Sequence, residues 1–147
     1  MKNILITGAA GFIGSNFAEY IADKNYNIIV IDKLTYAGNI NNLKKIINQI
    51  IFEKGDICNS EFVVEIFKKY NINEVVHFAA ESHVDNSINE PFIFTKTNVL
   101  GTHTLLETAR TIWGEGSNNK FVHVSTDEVY GTLGETGYFT EKSRISS

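Results

Sequence analysis

The opening stretch MKNILITGAAGFIG leaves this chain few ways to fold. Ile4, Leu5 and Ile6 form an apolar run that passes directly into a turn carrying Gly8, Gly11 and Gly14. A strand that ends in such a turn and continues as a helix is a phosphate-binding unit. Gly8 allows a sharp bend off the strand, Gly11 removes a Cβ where backbone must approach a pyrophosphate, and Gly14 lets the helix lie close on the sheet. The free N–H groups at the helix start then face the anion. A glycine triplet alone is weak evidence, and its weight comes from the strand before it and the helical pattern after it.

That pattern is present. Ile13, Phe17, Tyr20 and Ile21 fall on one helical stripe, which predicts a helix to about residue 23 or 24 with this stripe in the core. Residues 27–31 (NIIVI) are continuous and β-branched, as in a strand buried on both faces of a parallel sheet, and they end at Asp32. A carboxylate about 20 residues past the glycines can accept the adenosine ribose hydroxyls and repels a 2′-phosphate, which favours NAD over NADP. The plainer reading of Asp32 is a turn or N-cap residue. Leu43, Ile46, Ile47 and Ile50 follow a turn-rich stretch and predict a short helix with these residues in the core. Ile51 and Phe52 read as a third strand running into Gly55-Asp56-Ile57, where Asp56 in the plainer reading caps the next helix. Asn59 and Ser60 start that helix, with Phe62, Val63, Ile66, Phe67 and Tyr70 at helical spacing.

Residues 74–80 (EVVHFAA) read as strand four, whose two small alanines leave room at its carboxyl end. Ligands of doubly wound sheets sit outside the carboxyl ends of the strands, where strand order reverses. The polar run at residues 81–87 therefore stands where cofactor and substrate meet. One long helix is expected from Pro91, burying Phe94, Leu105, Leu106, Ala109, Ile112 and Trp113, with close packing at Gly101 and a stop at Gly114. Residues 120–125 (KFVHVS) read as strand five, ending in Ser125, Thr126, Asp127 and Glu128. The alternation predicts an α/β fold, a Rossmann-like doubly wound parallel sheet of order 3-2-1-4-5. Residues 1–131 form one dinucleotide-binding domain in this reading, and 132–147 a polar tail.

Composition narrows the partners. Net charge is −4 and the basic residues are scattered, unlike the clustered footprint of a nucleic-acid binder. Cys58 is the only cysteine, which rules out an intrachain disulfide and a Cys-rich zinc site and fits a reducing cytosol. The short apolar start breaks into glycines, and no run approaches ~20 apolar residues, so neither a signal peptide nor a membrane span is expected. Among the four histidines, His77 and His123 lie inside strands and read as structural. His83 lies in the polar run and is assigned no catalytic role. No histidine spacing suggests a metal site.

Six segments, TGAAGFIG, DKLTYAGN, GDI, HFAAESHVDNSI, TNVLGT and STDEVYG, occur in an order that resembles the extended short-chain dehydrogenase/reductase family, and within it the nucleotide-sugar 4,6-dehydratases. The resemblance implies NAD as cofactor. It places Gly8, Gly11, Phe12, Ile13 and Gly14 at the pyrophosphate and Asp32, Lys33, Leu34 and Thr35 around the adenosine. It sets Asp56 and Ile57 beside the adenine. Phe78, Ala79, Ala80, Glu81, Ser82 and Thr97 line the rest of the cofactor site, with Ser82 also touching substrate. The implied reaction turns dTDP-glucose into a 4-keto-6-deoxy sugar by transient oxidation at C4, elimination across C5 and C6, and return of hydride to C6. Glu128 takes the C5 proton, Asp127 protonates the departing C6 hydroxyl, and Thr126 hydrogen-bonds the C4 oxygen. Two adjacent carboxyls can divide these tasks only if their environments hold them in different protonation states. A homodimer is implied as well.

The family's Tyr-x-x-x-Lys pair normally lies on a long helix well past strand five. Tyr138 and Lys142 match it literally, but in a polar stretch without helical periodicity, and they read as an accidental match. The chain thus reads as the N-terminal part of such an enzyme, before the later strands and the substrate domain. Two alternatives stay open: an NAD-binding module without turnover, and a parent that is a UDP-sugar 4-epimerase or decarboxylase, which Asp127 and Glu128 disfavour.

Overall fold

The computed structural model describes residues 1–145; the last two residues of the expected polar tail lie outside the described residues. Five parallel strands make one sheet in the order β3-β2-β1-β4-β5. They are β1 (Lys2–Thr7), β2 (Tyr26–Asp32), β3 (Ile50–Lys54), β4 (Glu74–His77) and β5 (Lys120–His123). The expected fold class and strand order are those observed. Side chains alternate across the central strands and fill two cores. Ile4, Ile6, Ile28, Val30 and Val76 face α1 (Phe12–Ala22). Leu5, Ile29, Ile31 and Val75 face α2 (Ser60–Lys69) and, further along the chain, α5 (Thr102–Trp113). A sheet covered on both faces needs the continuous apolar runs that β1 and β2 carry.

Several elements differ from their sequence expectation. The buried face of α1 is Gly14, Ser15, Ala18 and Ile21, whereas Ile13 and Tyr20 are exposed. Small residues win this face because the helix packs against backbone: a Cβ on Gly14 would stand 2.4 Å from the Gly8 carbonyl oxygen. Tyr20 lies on the outer face, where the Lys24 ammonium sits 5.1 Å from its ring centroid. Residues 43–50 form no α-helix. Two single 3₁₀ turns form instead, Ile40–Leu43, which buries Leu43, and Ile47–Gln49, which leaves Ile47 exposed, with Ile46 buried between them. Strand four ends at His77, three residues early, because β1 turns away at Gly8 and offers no further ladder after Thr7 pairs with His77.

The expected single helix from Pro91 is three pieces, with a further short helix before it. Helix α3 (Val84–Asn89) precedes it, α4 (Pro91–Phe94) starts with the proline in its first turn, a π-helical stretch covers Thr95–Gly101, and α5 completes it. The break at Glu90 (φ −133°, ψ 58°) follows from the exclusion of helical backbone before proline. Leu105 and Ala109 are buried as expected, but Leu106 is exposed, since α5 turns the Leu105, Thr108 and Ala109 side inward. Gly101 is a close contact, its missing Cβ 2.6 Å from Ile57 Cδ1. Gly114 ends the helix at φ 69°.

His77 is the largest polar side chain buried in the sheet among the described residues, 1% exposed. Its Nδ1 is 2.6 Å from Thr7 Oγ1 and its Nε2 is 2.9 Å from Thr102 Oγ1. Hydroxyls donate or accept, so either neutral tautomer is satisfied. Burial, with a smaller effect from the neighbouring His123, pushes the imidazole down to about 4. His123 itself is exposed on the edge strand β5, its ring centroid 5.1 Å from that of His77. Because the unfolded chain takes up the His77 proton near pH 6.5 and the folded chain only near 4, stability is complete above about pH 6.5 and falls as pH drops toward 4. The expected loss is roughly 3 kcal/mol. Denaturant unfolding at pH 7, 5.5 and 4.5 checks it, and a His77→Asn variant that folds is expected to lose most of this slope.

Candidate functional site

All five strands point their carboxyl ends at one cleft of about 910 Å³. Gly8 begins it. At φ 72° it adopts a left-handed conformation, donates its N–H to the Ile31 carbonyl at 2.9 Å, and leaves no room for a Cβ, which would lie 2.6 Å from Ala79 N. A Cβ on Gly11 would meet only the Gly8 carbonyl oxygen, at 3.3 Å, so this glycine keeps open space on the cleft side. Gly11 caps α1 without a side-chain partner, and the first turn of the helix carries no acid. The unsatisfied N–H groups there are suited to an anion. Phe12 and Ile13 stand exposed at the cleft mouth, which accounts for their absence from the core.

At the exit of β2 the Asp32 carboxylate is 8% exposed and already engaged. Its Oδ2 accepts the Ala10 N–H at 2.9 Å and its Oδ1 the Leu34 N–H at 2.8 Å. Asp32 thus acts as a turn residue and a cleft residue at once. Lys33 and Thr35 line the cleft beside it, but Leu34 does not. Leu34 adopts φ 56° and packs its side chain on the core beneath α1, so its part in this site is its backbone.

Asp56 lines the next sector, with Oδ1 accepting the Cys58 N–H at 2.9 Å and Oδ2 2.8 Å from Lys33 Nζ. Burial opposes its ionisation, but the Lys33 ammonium and the Cys58 N–H outweigh burial and hold the carboxyl below its ordinary range. Ile57 lines the cleft too, though its side chain is core. Burial and the Asp56 carboxylate push the Cys58 thiol up to about 11, which makes it a poor nucleophile.

Phe78, Ala79, Ala80, Glu81 and Ser82 form the middle wall, opposite Thr97. This loop is fixed by groups that the sequence reading passed over. The Asn98 amide accepts the Glu81 N–H at 2.8 Å and donates to the Glu81 carbonyl at 2.9 Å. Thr7 Oγ1 accepts the Ala79 N–H at 3.3 Å. An asparagine is a poor choice for a helix interior on propensity alone, and that was the available signal for a tertiary role. Ser87, from the expected polar run, lines the cleft as well, and so do Ala37, Gly38, Phe94, Thr102 and His123, which were not anticipated.

Thr126, Asp127 and Glu128 complete the cleft at the end of β5. Thr126 caps a 3₁₀ turn spanning Asp127–Tyr130, which Gly131 closes at φ 80°. Among the described residues neither carboxylate has a hydrogen-bond or ion-pair partner, so both are available to a ligand. Tyr138 is 92% exposed and neither it nor Lys142 lines the cleft or lies on a helix. The described residues gather no group of three His, Cys, Asp or Glu able to hold a metal ion. No helix among them is long and apolar enough to cross a membrane.

Asn98→Ala is expected to destabilise the protein by about 1–3 kcal/mol, since it strands both polar groups of Glu81. Hydrogen exchange at the Glu81 amide is expected to quicken at least tenfold, while Asn98→Asp, which keeps the acceptor, retains part of the protection.

The comparisons agree with this geometry. The profile of the GDP-mannose 4,6 dehydratase family matches residues 5–147. A probable dTDP-glucose 4,6-dehydratase of Sinorhizobium fredii is 48% identical over 147 residues, covering 95% of this chain and 42% of the relative. The structure of a dTDP-glucose 4,6-dehydratase from Streptomyces venezuelae with NAD and TYD bound aligns with TM-score 0.83 and 42% identity, over 98% of this chain and 45% of that one. A UDP-glucose 4-epimerase of Thermus thermophilus in complex with NAD aligns with TM-score 0.85 and 30% identity, over 98% of this chain and 44% of that one. The chain therefore spans less than half the length of the relatives it matches. With the family profile running from β1 to the final residue, and with the glycine turn, the Asp32 exit and the β5 acids facing one cleft, the chain belongs to the GDP-mannose 4,6 dehydratase family.

Proposed function

We propose that the full-length protein carrying this chain is an NAD-dependent nucleotide-sugar 4,6-dehydratase acting on dTDP-glucose. The observation that carries this reading is the run Thr126-Asp127-Glu128, which opens on the same cleft as the glycine turn. The cleft suits NAD: the turn leaves open space at Gly11, the α1 N-terminus offers unpaired N–H groups, and Asp32 stands at the ribose end. Gly8, Gly11, Phe12, Ile13 and Gly14 would hold the pyrophosphate. Asp32, Lys33 and Thr35 would hold the adenosine, with the Leu34 backbone shaping that turn, and Asp56 and Ile57 the adenine. Phe78, Ala79, Ala80, Glu81, Ser82 and Thr97 would line the remainder. Bound NAD would supply the hydride acceptor and donor.

The chain's own contribution is acid–base. Glu128 would accept the C5 proton, made acidic by a ketone at C4, and Asp127 would deliver a proton to the departing C6 hydroxyl. Thr126 and Ser82 would hold the sugar by hydrogen bonds. Ile88, Phe92, Ile93, Val99, Leu100 and Leu106 are exposed along α3 to α5, and this apolar surface supports a homodimer. A cytosolic setting fits the single, free cysteine.

A second reading concerns the 147-residue stretch by itself: it binds NAD without turnover. It is favoured by Tyr138, which stands in solvent away from the cleft. Calorimetric titration with NAD beside a product assay on the same stretch separates the two, turnover there overturning this second reading.

In the full-length protein Glu128→Gln is expected to lower kcat for water loss by at least 10²-fold with the substrate Kd little changed. Solvent-proton exchange at C5, read by NMR, is expected to fall with it. Full activity in that variant would remove Glu128 as the base.

A further inference from the structure

The lining of the cleft is electrostatically lopsided. Asp32, Asp56, Glu81, Asp127 and Glu128 contribute carboxylates, and among the described lining residues Lys33 contributes the one ammonium. Lys33 directly follows Asp32, at the ribose end. Dinucleotide folds that accept a 2′-phosphate do so with a side-chain cation at this end, so Lys33 is by position the residue that could recruit NADP.

Its partner prevents this. Lys33 Nζ lies 2.8 Å from Asp56 Oδ2. Of the two, Asp56 is the fixed member: its side chain is 27% exposed against 57% for Lys33, and its other oxygen is anchored by the Cys58 N–H. An ion pair this exposed adds little to folding. Its consequence is for ligand choice, because a phosphate that recruits Lys33 must strip the cation from a half-buried carboxylate that then keeps its charge unpaired.

We infer that Asp56 is a specificity-determining residue, which holds Lys33 away from a ribose 2′-phosphate and so reinforces the direct repulsion by Asp32 in selecting NAD over NADP. Two carboxylates at the ends of different strands thus act on one discrimination, one through the ligand's charge and one through the protein's cation. Both groups stay ionised at neutral pH, since the pair holds the Asp56 carboxyl low and the hydrogen bond to Asp56 raises Lys33. The inference rests on the reading of this cleft as an NAD site.

The test uses the full-length protein and calorimetric titration with NAD and with NADP at fixed ionic strength. Asp56→Asn keeps the acceptor for the Cys58 N–H and removes the charge. It is expected to lower the ratio of the NADP Kd to the NAD Kd about tenfold, the scale of one charge-assisted contact. Adenine and pyrophosphate contacts are common to both cofactors and cancel in that ratio, so a merely structural loss leaves it unmoved. Adding Lys33→Met to Asp56→Asn is expected to return the ratio to its parent value. An unchanged ratio in Asp56→Asn, or a gain that survives Lys33→Met, overturns the inference. A parent protein that binds neither dinucleotide overturns the cofactor reading and the inference with it.

Discussion

Asp32 accepts the Ala10 N–H on one carboxylate oxygen and the Leu34 N–H on the other, and the β1–β2 end of the cleft follows from that pair. The first bond ties the glycine turn after β1 to the end of β2. The second fixes the turn that leads away from β2 and holds Leu34 in a left-handed conformation at φ 56°. A leucine there costs about 1–2 kcal/mol, offset by the hydrogen bond and by burial of its side chain under α1. The following loop closes on the same carboxylate: a Cβ on Gly38 would stand 2.7 Å from Asp32 Oδ1, and the Ala10 carbonyl accepts both the Asn39 N–H and the Asn42 side-chain amide. The glycine turn, the end of β2 and residues 33–42 are therefore one hydrogen-bonded unit.

A second unit is built around His77. Its ring joins Thr7 of β1 to Thr102 of α5, and Thr7 passes the constraint to Ala79 through the Ala79 N–H. Asn98, one turn before Thr102, grips Glu81. The middle wall of the cleft is thus pinned from below by the sheet and from the side by the π-helical stretch. The extra residue per turn in such a stretch changes which side chains face the cleft, and Thr97, Asn98 and Thr102 all line it here.

The sheet and its order were legible in the sequence because they depend on local signals of the right period. Residues 27–31, the Asn59 cap and the glycine turn each carry their instruction within a few positions. Nearly every anticipated site residue lines the cleft for the same reason: in a parallel sheet, residues after strand ends share one edge. What was illegible depended on partners far along the chain. Ile13 and Tyr20 look like core by spacing, but the proximity of α1 to the Gly8 carbonyl gives that face to Gly14 and Ala18. Leu34 matched a motif, yet its positive φ points its side chain away from the cleft. The pair of hydrogen bonds between Asn98 and Glu81, 17 residues apart, had no periodic signature at all.

The two ends of the cleft differ in how firmly the sheet supports them. Gly8 follows β1 and Asp32 ends β2, strands that each have a neighbour on both sides, and the two are cross-braced through Ala10. Thr126, Asp127 and Glu128 follow β5, which lies at the sheet edge with β4 as its one strand neighbour among the described residues and with its Val122 side chain 49% exposed. Local stability tracks such packing. Within the described residues the β1–β2 end of the cleft is therefore preorganised by the core itself, whereas the acid pair is positioned by one ladder and a short 3₁₀ turn. The placement of Asp127 and Glu128 therefore rests on less of the fold than that of Gly8 and Asp32 does, so under the proposed function the edge of this sheet is where stability and the acid–base step are coupled.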